Sequence, residues 1–72
     1  MNDTIFPNLY ATLIERGISL HEFSKGIGIE LPEVEAKLRG LSSWRLSEIV
    51  EVCLYLEESD VQYLFFNKNT NN

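Results

Sequence analysis

The sequence predicts an all-α fold, a compact arrangement of five short helices in one small domain. Three observations carry the prediction. No stretch alternates apolar and polar residues for long, and no Asn-Gly hairpin turn occurs, so strand signals are weak. Helix punctuation is dense by comparison: Gly17, Gly28 and Gly40 each follow an apolar-periodic segment, and Ser19 and Pro32 stand at helix-starting positions. Apolar pairs recur four residues apart, as at Leu9 and Leu13, Phe23 and Ile27, and Val34 and Leu38.

The elements follow in order. A first helix is expected over about Asn8 to Arg16, with Leu9 and Leu13 on one face and Gly17 in the position just past its end. Ser19 reads as an N-cap. Glu22, three residues on, completes a capping box for a short second helix ending at Lys25 or Gly26, with Phe23 and Ile27 facing inward. Gly28 permits the positive φ of a tight turn. Pro32 suits the first turn of a third helix, where its missing N–H costs nothing; Val34 and Leu38 form its buried stripe and Gly40 stops it. A fourth helix is expected from Leu46 to Leu56, with Leu46, Ile49, Val50, Cys53 and Leu56 or Leu54 turned inward. Ser59 reads as the cap of a short fifth helix in which Val61, Leu64 and Phe65 pack back. The domain spans 1–72 with its core over about 8–65, and the polar stretch Asn67 to Asn72, "NKNTNN", reads as a disordered tail.

Composition narrows the function classes. An apolar content of 44% supports a packed core. A chain this short buries only ~60% of the surface its unfolded form exposes, so its stability is marginal unless it associates. One cysteine, Cys53, forms no internal disulfide, and no Cys/His cluster offers a metal site, so no metal and no cofactor are expected. No apolar run approaches a membrane span and no signal-peptide pattern opens the sequence, which suggests a cytoplasmic protein with no membrane partner. No acid/base pair, phosphate loop or catalytic triad emerges, so an enzyme is not expected. The net charge is −5, but unevenly spread: residues 16–45 sum to +1 and the rest to −6.

The stretches "NLYATLIERGIS" (8–19), Phe23 with Ser24, "GI" (28–29), Val34, "KLRG" (37–40) and "LSEIVEVCLYL" leading to "VQYLF" (61–65) recur in the order typical of one family. The chain resembles the phage-repressor and Cro-like helix-turn-helix family, also called the XRE family, over roughly residues 8–65. The resemblance implies a lambda-repressor-like DNA-binding domain with a helix-turn-helix, a small transcriptional regulator of phage or mobile-element type. It would bind double-stranded operator DNA as a homodimer, with the third helices of two copies in successive major grooves ~34 Å apart. By position, Leu31, Pro32, Glu33, Ala36 and Lys37 would face the bases. Ser19, Leu20 and His21 would approach the backbone, and Leu41, Ser42 and Ser43 the phosphates, with Arg39 and Arg45 as further basic contacts.

The exposed letters depart from that family's habit. Leu31, Pro32 and Ala36 have no group to hydrogen-bond a base, Leu41 stands where a Lys is common, and Glu33 can only accept, as from the N4 amine of cytosine. A second expectation therefore stands beside the first: a protein-interaction module that keeps the helix-turn-helix and no longer binds DNA, docking a basic protein partner. Glu30 and Glu33 also have a purely structural reading, since acids in a first turn favour the helix's positive end by ~0.3–1 kcal/mol each. Lys37 and Arg39 have one too, as i+4 partners of Glu33 and Glu35. His21 reads as a solvated helix residue, Cys53 as a small core residue, and Trp44 as a core cap between the third and fourth helices with an exposed contact role as the rival reading. Tyr55, Tyr63, Phe65 and Phe66 exceed what so small a core needs and are the dimer-interface candidates.

Overall fold

Glycines end three of the helices by the same device. At Gly17, Gly28 and Gly40 φ is 67°, 73° and 81°. In this left-handed turn the next residue's N–H donates to the carbonyl five positions back: Ile18 to Leu13 at 2.9 Å, Ile29 to Ser24 at 3.0 Å, Leu41 to Ala36 at 2.9 Å. The computed structural model describes residues 3–69. Among them it has five helices and no strand: α1 (Pro7–Glu15), α2 (Leu20–Ile27), α3 (Leu31–Arg39), α4 (Leu46–Leu56) and α5 (Val61–Leu64). Starts are as well marked as ends. Ser19 Oγ accepts from the Glu22 N–H at 3.0 Å while the Glu22 carboxylate accepts from the Ser19 N–H at 2.9 Å, the reciprocal capping box the sequence suggests. Those two hydrogen bonds, the backbone one first, hold the Glu22 carboxyl below its ordinary value of 4.5.

The core gathers one stripe from each helix: Leu9 and Leu13, Phe23 and Ile27, Val34 and Leu38, Val52 and Leu56, and Leu64, closed by Phe6. α2 packs on both α3 and α4, and α1 packs on α5. The N-terminal segment belongs to this structure. Ile5 N–H donates to Leu38 O at 2.8 Å and Thr4 Oγ1 to the same carbonyl at 2.9 Å, which ties it to the last turn of α3.

Four expectations need correcting. On α4 the inward stripe is Val52 and Leu56, with Ile49 and Cys53 half-buried, whereas Leu46, Val50 and Leu54 point to solvent. In this orientation α4 packs on α2, and the Tyr55 ring lies so close over Gly26 that a Cβ there would overlap it. The cap of α5 is Asp60, not Ser59, because the Asp60 carboxylate accepts from Tyr63 N–H at 3.0 Å. Val61 is exposed; Leu64 and Phe65 alone pack back. In the expected tail, Lys68 N–H donates to Ile5 O at 3.0 Å, so the described part is strapped to the N-terminal segment. Thr70 to Asn72 lie outside the described residues.

Candidate recognition surface

Gly28 closes α2 and Glu30 opens α3, so the two helices are joined by a tight connection and pack on each other. On α3 the exposed positions are Pro32, Glu33 and Arg39, with Leu31, Glu35 and Ala36 half-buried beside them. His21, Lys25, Ile29, Glu30, Leu31 and Pro32 line an open groove of about 490 Å³ between α2 and the start of α3. Leu31, Pro32, Glu33 and Ala36 thus share one surface with Ser19 at the head of α2 also exposed.

Lys25 of α2 lines this groove, but the cations of α3 are engaged within the fold. Lys37 was expected on this surface and is instead buried, at 3% exposure. Its Nζ donates to Ser43 O at 2.7 Å, pairs with Glu48 Oε1 at 2.9 Å and lies 3.5 Å from Glu33 Oε2. It also sits 5.8 Å from the Trp44 ring centroid. The turn after Gly40 brings Ser43 and Glu48 over the end of α3, and a buried ammonium needs partners of this kind. Arg39 pairs with Asp3 at 2.9 Å rather than with Glu35. Arg16 donates from Nη1 to Leu56 O, capping the end of α4. Among the described residues, Lys25 and Arg45 are exposed and form no ion pair.

The acids are held in place. Ser42 Oγ donates to Glu33 Oε2 at 2.9 Å, which turns Ser42 from a candidate phosphate contact into a partner of the acid. Glu48 is pulled two ways: burial raises its pKa, but the Arg45 N–H at 2.8 Å and the Lys37 ammonium outweigh this and hold it below 4.5. None of the links from Lys37 to Ser43 and Glu48, or from Arg39 to Asp3, is legible in a single sequence. Their partners arrive through turns, and no periodicity joins them.

The aromatic residues divide. Phe65 stands edge-on to Trp44 at 5.4 Å and to Phe6 at 6.0 Å, so it is an internal residue rather than an interface candidate. Tyr55 covers Gly26 and lies 5.9 Å from Phe23, which also engages it within its own fold. Tyr63 and Phe66 remain exposed. Trp44 packs on the core as expected, and its buried Nε1 finds no acceptor among the described residues. His21 is exposed, and burial first and the Glu58 carboxylate second push the Cys53 thiol pKa above its ordinary value. Among the described residues no helix is long and apolar enough to cross a membrane. Comparison of the chain with protein-family models, curated proteins and solved structures returned no match.

Proposed function

We propose that the domain is a protein-interaction module with a helix-turn-helix arrangement of α2 and α3, whose α3 surface docks a basic partner. The burial of Lys37 carries this reading. Affinity for DNA comes largely from cations that neutralise phosphates. The central cation of α3 is spent inside the molecule on Glu48 and Ser43, and Arg39 is paired with Asp3. What α3 itself presents is Pro32 with the half-buried Leu31 and Ala36, rimmed by Glu30 and Glu33, with Lys25 of α2 the free cation beside them; an apolar centre with a charged rim has the anatomy of a protein interface.

A DNA-binding regulator of the phage-repressor type, dimeric on its operator, is the second reading. It is favoured by the exposed first turn of α3 next to the unpaired Lys25 and, on the same domain, Arg45. One experiment separates the two. Labelled duplexes, one random and one from upstream of the protein's own gene, are titrated at about 50 and 200 mM salt, a range over which phosphate contacts lose orders of magnitude in affinity. A Leu/Lys amphipathic helical peptide is titrated in parallel. The interaction reading expects peptide binding that disappears with Glu30→Lys plus Glu33→Lys, and no duplex binding at either salt. Duplex binding at the lower salt that is abolished by Lys25→Glu plus Arg45→Glu would replace it with the second reading.

A further inference from the structure

Among the described residues, the buried indole N–H of Trp44 is a donor without an acceptor. Buried indole N–H groups ordinarily find one, because the hydrogen bond lost to water has to be replaced inside. Trp44 lines an open depression of about 350 Å³ between the N-terminal segment, the turn after α3 and the residues that follow α5. This depression shares no residue with the groove between α2 and α3. Its wall is an aromatic trio: Trp44 stands edge-on to Phe65 at 5.4 Å and to Phe6 at 6.5 Å, and Phe6 stands edge-on to Phe65 at 6.0 Å. Ile5 and Ile49 extend that wall and, like Trp44 and Phe65, are only half-buried.

We infer that this depression binds a small neutral molecule built from an aromatic ring and a carbonyl group, the carbonyl oxygen accepting from the Trp44 indole N–H. Size, shape and polarity each select that class. The volume lies at the lower end of ligand pockets, so it suits a single ring with a short substituent. Rings set edge to face, with aliphatic side chains beside them, offer an added ring the same kind of contact. Charge finds no partner here. No lining side chain is ionisable, and the nearby Lys37 ammonium is already met by Ser43 O and Glu48. The nitrogen groups left over are donors. Besides the indole there is the Asn67 amide, whose oxygen accepts from Asn69 N–H at 2.8 Å and whose Nδ2 has no partner among the described residues. Ser42 Oγ, by contrast, already donates to Glu33. The ligand must therefore bring an acceptor, and a carbonyl oxygen with two lone pairs is the simplest neutral one.

The test is an NMR titration of the whole chain, in which the single tryptophan gives one indole N–H cross-peak. Acetophenone is one probe. The other is α-methylstyrene, which has the same shape with a methylene group in place of the oxygen. Fragments of this size bind with a Kd on the order of 1 mM, so acetophenone is taken to about 10 mM and the two are compared over the range in which both dissolve. The indole peak should move downfield and saturate with acetophenone, and the Asn67 side-chain amide peaks should move with it. Without the acceptor, α-methylstyrene should bind about tenfold more weakly. Trp44→Phe keeps the aromatic wall and removes the donor; with its helix content confirmed by circular dichroism, it should bring acetophenone down to the level of α-methylstyrene, read on the Asn67 peaks. If that variant does not fold, the comparison of the two probes on the wild-type chain decides by itself. An indole peak that ignores acetophenone overturns the inference, and so does equal affinity for the two probes. An indole N–H that shows a nuclear Overhauser contact to a long-lived water and stays in place through the titration overturns it as well, since the donor then belongs to that water.

Discussion

Replacing Lys37 with Ala gives the sharpest measure of how the α3–α4 corner is held. The side chain is buried, and its ammonium is met by Ser43 O at 2.7 Å and Glu48 Oε1 at 2.9 Å. Ala removes three methylenes from this site, each contributing roughly 0.8 kcal/mol if fully buried. It also removes charge-assisted hydrogen bonds worth about 1.5–3 kcal/mol and leaves the Ser43 carbonyl without its donor. Relief from desolvating an ammonium offsets part of this. The expected net loss is ~3 kcal/mol. For 72 residues the total stability is about 4–11 kcal/mol, so the loss is a large share of it, and Tm should fall by ~10–20 °C. Urea unfolding followed by Trp44 fluorescence reads the change directly, because Lys37 Nζ lies 5.8 Å from that ring. Lys37→Met, which keeps the stem and loses only the donor, should cost about 1 kcal/mol. An Ala variant within ±0.5 kcal/mol of wild type, the range of ordinary surface substitutions, would refute the internal role and return Lys37 to the surface.

Three further outcomes follow from the same structure. Glu48 and Glu22 both have carboxyl pKa values held below 4.5, so the stability they contribute is complete above that pH and is lost as pH falls through their folded values; Glu48→Gln should flatten the acid limb of a stability–pH curve and leave the neutral-pH limb parallel to wild type. Gly40→Ala should destabilise by roughly 1–2 kcal/mol or more by chemical denaturation, since φ is 81° and the new Cβ would stand 2.5 Å from Ile5 Cδ1. Glu57 is the one non-glycine residue with positive φ among those described, at 52°, so Glu57→Gly should raise the urea midpoint by the equivalent of about 0.5–1 kcal/mol.

Local chemistry was readable in the sequence; what depends on meetings between distant residues was not. Gly17, Gly28 and Gly40 and the Ser19–Glu22 box declare helix ends because each acts on backbone within a few residues of itself. The inward pairs of α1, α2 and α3 were legible because each helix has one apolar stripe. α4 has two, Leu46–Val50–Leu54 and Val52–Leu56, and which of them enters the core depends on how α4 meets α2, a contact between distant residues. At the candidate surface, the end of α2 and the start of α3 were legible but the electrostatics were not. A lysine on the third helix reads as an outward cation until the turn at Ser43 and the first turn of α4 supply it with oxygen atoms. Asp60 took the cap of α5 from Ser59 for a simpler reason: both can cap, and a shift of one residue is below what sequence resolves.

The strap between Lys68 N–H and Ile5 O, 3.0 Å long, makes neighbours of the two ends of the described residues, and Ile5 is in turn bonded to the last turn of α3. A permuted chain that joins 69 to 3 through a short Gly/Ser linker and opens instead at the exposed Ser59 should keep the same helices in a new order. A linker that joins 69 to 3 would therefore run beside α3, whereas a break at Ser59 falls in the exposed connection between α4 and α5.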